Sequence, residues 1–510
     1  MAEARLAELV AALSLGVDLG FGQPMEHVLR ECIIALSLAE RLDLDEAERS
    51  TVYYTALLVN VGCHADAHEQ AKWFGDDIAL RSGKYDHEYR SVRAAAAAMR
   101  LVGSGNPPLH RFRVGLEFAV SGHRDFDGMI ATHSSLARAL AERLGLPQSV
   151  QDAVASSYEQ WDGKGWPDGL AGDRIPVAAR LTQFAEFVEV AHRLGGVEAA
   201  LALADRRAGS QFDPALAAAL RADPEGIHGG LDALPSWESV IDAEPALRVT
   251  VSGAALDRAL LAIADFVDLK SPYTLGHARA VADLTAATAE RLGLPEDETG
   301  LLRRAALVHD LGRLGVSNAI WDKPGPLGTG EWERVRMHPY LTERMLHQSH
   351  ALAPLAAIAV QHRERLDGSG YPRGLAGGAV SRHARILGAA DAYRSMCEVR
   401  PHRPALTAAA AAGQLRSEVR AGRLDGEAVT AVLGAAGHHV GRRQDRPAGL
   451  TAREVDVLRL LARGHSSKQI AERLVITPKT ARNHIEHIYA KIDASSRVAA
   501  SLFATEHGLL

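Results

Sequence analysis

Apolar positions recur along most of the chain at spacings of three and four, the pattern of helices that bury one face. Leu256, Leu260, Ile263, Ala264 and Val267 form one such stripe, and Ala305, Ala306, Leu307 and Val308 end another. Near the C-terminus Val455, Leu458, Leu461 and Ala462 share a face, as do Ile470, Ala471 and Leu474, and then Ala481, Ile485 and Ile488. Gly- and Pro-containing breaks punctuate the pattern at Gly103–Pro108, 236–252, Trp321–Leu327, Leu366–Pro372 and Gly437–Gly449. Few residues are aromatic (5%) while Ala and Leu abound, which favours helix over sheet. The expected fold class is all-α.

The last helical segments carry their own boundaries. Thr451 with Glu454, and Ser466 with Gln469, are capping boxes, and Thr477-Pro478 places an N-cap before Pro at the first helical position. The segment after Pro478 puts Lys479, Thr480, Arg482, Asn483, His484, His487 and Lys491 outside. Two short helices joined by a tight turn, the second polar and basic, form a helix-turn-helix. This stretch resembles the LuxR-type DNA-binding domain over its whole length, through Leu450-Thr451, Glu454, Gly464, Lys468-Gln469-Ile470-Ala471, Lys479-Thr480, Lys491 and Arg497. From residue 450 on, 9 Lys plus Arg against 6 Asp plus Glu give +3, so the rest of a chain of net charge −6 carries −9. The resemblance implies double-stranded promoter DNA as partner, with contacts from Lys468, Lys479, Thr480, Arg482, Asn483 and Lys491.

The candidate chemistry centres on His309-Asp310, which follows the apolar run 305–308. Imidazole and carboxylate suit a divalent metal. Adjacent side chains on a helix diverge by about 100°, so partners must come from elsewhere. His277, His338, His362 and Asp391 are the candidates, and the turn 366–372 lies between the last two.

Order, spacing and loop of residues 255–437 resemble the HD-GYP phosphohydrolases, a branch of the HD superfamily. The resemblance implies a helical domain holding two or three metals, usually iron or manganese, and hydrolysing the cyclic dinucleotide cyclic di-GMP; with the departures described below, one or two divalent ions per chain are expected here. His277, His309, Asp310 and Asp391 would hold the first metal, and Asp310 would bridge to a second held by His338 and His362. Two metals lower the pKa of a shared water and neutralise the phosphodiester transition state. Asp310 and Arg313 would serve catalysis. Arg313, Lys323, Gly370, Tyr371 and Pro372 would meet the substrate. Three positions depart from the family pattern. Arg363 replaces a second His and cannot ligate a metal; Arg313 replaces Lys; Tyr273 replaces a Glu found in some members.

The first half repeats the second. At an offset of 250, 40–44 matches 290–294, His27 matches His277, and Val59-Asn60 falls on His309-Asp310. At an offset of 205, His133 matches His338, 161–167 matches 366–372, Ser157 and Tyr158 fall on His362 and Arg363, and Glu186 falls on Asp391. The inserted stretch lies near 64–110. A degenerate HD-GYP-like copy over 1–235 is therefore expected, serving as scaffold or as a ligand-sensing pocket. The active-type copy spans 253–437, the helix-turn-helix 449–510, and 236–252 reads as a connection.

Three scattered cysteines without zinc or pairing spacing indicate a reducing compartment. No apolar run approaches about 18 residues and no secretory signal stands at the start, so a cytoplasmic protein with no membrane partner is expected. Together these features point to a transcription regulator, expected to be a homodimer, with a metal-dependent phosphodiesterase domain. The alternatives are a non-catalytic nucleotide or metal sensor on the same fold, or a phosphatase of another nucleotide.

Overall fold

Helical spacing translates directly into burial: Leu256, Leu260, Ile263, Ala264 and Val267 all face the interior along the helix Gly253–Asp268. The computed structural model describes residues 3–86, 92–104, 107–118, 123–229, 231, 236–245, 248–438, 447–507 and 509. The linker residues 439–446, with His439, lie outside the described residues, as do Gly105, Asn106 and Pro235. The chain divides into two units, Met1–His438 and His439–Leu510, and both are helical.

The first unit is built from two copies of one helical plan. Asp18 accepts a hydrogen bond from the Val28 amide at 3.1 Å, and Asp268 accepts one from Ala278 at 2.9 Å, each fastening the helix that begins at His27 or His277. The helices Glu46–Leu58 and Glu296–Val308 both run into a 3-10 turn, Val61–Asp66 and Leu311–Gly315. Within those turns Gly62 and Gly312 press on the backbone of His133 and His338, where a β-carbon would collide. Downstream, Glu159 accepts from the amides of Asp168 and Leu170, and Glu364 does the same for Arg373 and Leu375, each carboxylate closing a loop with a cis proline.

One feature goes beyond the sequence expectation. Residues 236–252 are more than a connection. They form the helix Ser236–Asp242, with Trp237, Val240 and Ile241 buried, and the strand Thr250–Ser252, antiparallel to Glu3–Arg5. Glu244 is buried there, accepting from Arg5 and from the Tyr54 hydroxyl at 2.5 Å. A three-residue strand is too short to display a period of two. The inserted stretch is helical as expected, including Ala67–Phe74 and Asp77–Ser82, and its Trp73, Phe74 and Val102 share a small core with Val114 and Phe118 just after it.

The second unit consists of the helices Ala452–Ala462, Ser467–Leu474, Pro478–Ile492 and Arg497–Glu506 around Leu450, Val455, Leu458, Leu461, Ile470, Ala481 and Ile488. Both capping boxes form, and Thr477 caps the third helix with Pro at its first turn. Among the described residues no helix is long and apolar enough to cross a membrane.

Candidate functional site

Three histidines are oriented by backbone carbonyls freed at helix irregularities. His309 ends the helix Glu296–Val308, and its Nδ1 bonds the Ala306 carbonyl at 2.6 Å. His362 follows the helix Ala353–Ala359 and bonds the Ala359 carbonyl at 2.7 Å. His338 lies inside Thr329–Leu346, where Pro339 lacks the amide hydrogen that would take the Val335 carbonyl; His338 Nδ1 takes it instead, at 2.6 Å. With Nδ1 protonated, each Nε2 lone pair points inward. His277 is held differently, its Nδ1 at 2.8 Å from Glu398.

Asp310 lies between the rings. Its Oδ1 is 3.4 Å from His338 Nε2 and 3.5 Å from His362 Nε2, and its Oδ2 is 3.6 Å from His309 Nε2 and 4.0 Å from His277 Nε2. Asp391 Oδ1 approaches His277 Nε2 at 3.3 Å and His309 Nε2 at 4.0 Å. His277, His309 and Asp391, and likewise His309, Asp310 and His362, bring their ligand atoms within 4.8 Å of one another. All six residues are buried.

Burial drives His309 and His338 below the usual imidazole range and His362 to about 3, which favours neutral rings with a free lone pair. At His277 burial is outweighed by the Asp391 and Glu398 carboxylates, and its pKa rises to about 9. Burial is likewise outweighed at Asp310, by His309 and Arg313, and at Asp391, by Arg363 and His277; both stay well below the carboxylate range. Yet His277 Nε2, His309 Nε2, Asp310 Oδ1 and Asp391 Oδ2 lack a well-formed hydrogen bond among the described residues. Orphaned polar atoms cost about 1–3 kcal/mol each. Four such atoms converging, all imidazole nitrogen or carboxylate oxygen, with Asp391 Oδ2 partly offset by an ion pair to Arg363, fit a divalent cation.

Arg363 reaches into this cluster, with Nη1 3.2 Å from Asp391 Oδ2. Beside it opens a cavity of about 550 Å³ whose lining includes Arg313, Trp321, Lys323, Arg363, Tyr371 and Arg400. The Arg313 guanidinium stacks 4.1 Å from the Trp321 ring centre and bonds Asp310 at 3.2 Å. Lys323 pairs with Glu331 at 2.7 Å. Of the loop residues expected at the substrate, Tyr371 lines the cavity, whereas Gly370 packs against the Glu364–Arg365 backbone and Pro372 continues the cis Tyr371-Pro372 bond; neither of the two is among the lining residues.

Sequence reasoning missed Glu398 and Arg400, and it missed the contribution of the first repeat. His68, from the inserted stretch, bonds Asp322 at 2.8 Å; Asp322 in turn accepts from Ser271 and Asn318 at 2.7 Å each. Asp77 accepts from Ser317 at 2.6 Å and from the Asn318 amide at 2.7 Å. Ser271 and Asp322 are cavity walls, so the first repeat braces the site of the second. Partners some 240 to 254 residues apart leave no local signal.

In the second unit Lys479, Arg482 and Asn483 are exposed on Pro478–Ile492, and Lys468 is exposed on Ser467–Leu474. Thr480 is exposed but engages the Thr477 cap through its hydroxyl at 2.8 Å. Lys491 is committed to the fold, its ammonium 2.8 Å from buried Glu454 and 3.3 Å from the Gly449 carbonyl.

Residues 124–216 and 262–428 match the HD domain family, and 448–504 match the luxR family of bacterial regulatory proteins. The chain is 32% identical over 410 residues to the 3'3'-cGAMP-specific phosphodiesterase 3 of Vibrio cholerae, covering 79% of this chain and 88% of that protein. It is 33% identical over 174 residues to a cyclic di-GMP phosphodiesterase response regulator of Xanthomonas campestris, covering 34% and 46%. Among solved structures, a cyclic GMP-AMP specific phosphodiesterase of V. cholerae superposes with a TM-score of 0.58 at 28% identity, over 85% of this chain and 98% of that one.

Proposed function

The chain belongs to the HD domain family and ends in a LuxR-type DNA-binding domain, and from that premise we propose that its second repeat hydrolyses a cyclic dinucleotide while its helix-turn-helix binds promoter DNA. The observation that carries this reading is the convergence of His277, His309, Asp310, His338, His362 and Asp391, with four ligand atoms that lack a well-formed hydrogen bond among the described residues, beside a basic cavity. One or two divalent ions held by these residues, iron or manganese, would polarise a phosphodiester and activate water. Arg313 and Arg400 bring fixed positive charge to the cavity for the substrate's phosphates, and Lys323 adds a third cation while shared with Glu331. Trp321 and Tyr371 offer ring surface to the bases. Asp310 links the two groups of histidines, so its loss disconnects both. A pair of chains would present two recognition helices to a palindromic site.

A second reading draws on Arg363. Its ion pair with Asp391 places a permanent cation at a metal-ligand carboxylate, which suits a domain that senses a nucleotide without hydrolysing it. Turnover decides. With Mn²⁺, or Fe²⁺ without oxygen, 3'3'-cGAMP or cyclic di-GMP should be cleaved to a linear product, and Asp310→Ala should reduce the rate at least about 100-fold. A wild-type rate no higher than that of the variant with all of these would contradict hydrolysis and favour the sensor.

A further inference from the structure

The residues of the first repeat that stand where the second gathers its ligands have not dispersed. His27, Asn60 and Glu186 correspond to His277, Asp310 and Asp391, and all three are buried. His27 Nδ1 pairs with Glu189 at 2.5 Å, while Asn60 and Glu186 both meet a side chain that the second repeat lacks, Lys84 from the inserted stretch. Its ammonium is 2.6 Å from Glu186 Oε1 and 2.9 Å from Asn60 Oδ1. The same Glu186 oxygen accepts from Asn60 Nδ2 at 2.7 Å and from the Tyr85 hydroxyl at 2.9 Å; Tyr85 also lies 3.4 Å from His27 Nε2. Four rings enclose the charge: Phe21, Tyr85, Tyr158 and Phe187, with centres 5.5 to 5.7 Å from the nitrogen. Nearby Glu31 is fully buried, its carboxyl without a hydrogen-bond partner among the described residues.

We propose that the first repeat keeps a cation site and that the Lys84 ammonium is its built-in occupant. The chemistry favours this over a vacant sensing pocket. A buried carboxylate without a countercharge is strongly disfavoured, and Glu186 would be one if Lys84 were removed. An ammonium held by a carboxylate, an amide oxygen and aromatic faces has the partners it needs without water. Asn60, where the second repeat has Asp310, lowers the negative charge of the site from what a divalent ion requires to what a single ammonium balances. Consistently, among the described residues the first repeat shows no group of ligand atoms as close as those of the second. The charge balance here does not depend on whether the second repeat is an enzyme.

Thermal unfolding of the full chain tests the pairing. Lys84→Met should lower the Tm by about 4 °C or more, and adding Glu186→Gln should recover at least about half of that, because the double variant no longer buries one partner of this ion pair without the other. If Lys84→Met does not fold, the double variant decides alone: folding supports the proposal and failure overturns it. Equal losses in single and double variants would also overturn it. The cation arm uses a chain silenced in the second repeat by His309→Ala and Asp310→Ala. There Lys84→Ala with Asn60→Asp should gain about one Mn²⁺ per chain by elemental analysis, and no gain would show that the residues do not form a cation site.

Discussion

Arg363 and Glu454 show how one side chain sets the behaviour of a site. A guanidinium donates hydrogen bonds but offers no lone pair to a metal, so Arg363 subtracts a ligand while paying part of the electrostatic cost of burying Asp391. Arg363→His should therefore raise the metal content per chain, read by elemental analysis of protein purified with Mn²⁺; unchanged content would mean that this position does not limit the site. Glu454 is held at a pKa of about 2 by Lys491 and by the Thr451 amide and hydroxyl, against the effect of burial. With a folded value below its usual 4.5, the carboxylate stabilises the second unit above about pH 4.5, and this contribution fades as the pH falls toward 2. Lys491 is 37% exposed, so solvent screening leaves the pair about 1 kcal/mol. The Tm deficit of Glu454→Gln should accordingly be present at pH 7 and shrink by pH 3.

Among the elements, the helix Pro478–Ile492 divides its cations between two tasks. Lys479 and Arg482 are exposed near its capped start, the end that recognition helices turn toward base edges, whereas Lys491 near its far end is tied to Glu454. Lys479→Ala with Arg482→Ala should weaken promoter-fragment binding and make the salt slope shallower by about 2, with the Tm unchanged. An identical slope would remove these residues from the interface. Lys491→Ala acts differently, lowering the Tm through the lost Glu454 pair. The helices Ala67–Phe74 and Asp77–Ser82 have a comparable supporting task, since His68 and Asp77 hold Asp322 and Asn318 behind the cavity.

For the whole molecule, local rules carried the sequence reading a long way. Capping boxes, apolar stripes and the repeat itself are set by neighbours in sequence, and the helical architecture with its C-terminal helix-turn-helix follows from them. The six ligand candidates were recognisable through their order, their spacing and the turn 366–372 between the last two; the structure brings them together. What stayed hidden is long-range. The strand Thr250–Ser252 pairs with a segment about 250 residues away, Glu398 meets His277 across 121 positions, and Lys84 reaches Glu186 across 102. None of these contacts has a periodicity to reveal it. The first repeat thereby emerges as a brace with an internal countercharge, and the proposed metal chemistry belongs to the second. Elemental analysis of the purified full chain, beside a His309→Ala/Asp310→Ala variant, tests that division most directly. One or two iron or manganese ions per wild-type chain, and none in the variant, is the predicted result; a wild type without bound metal, or a variant that keeps it, would contradict the account.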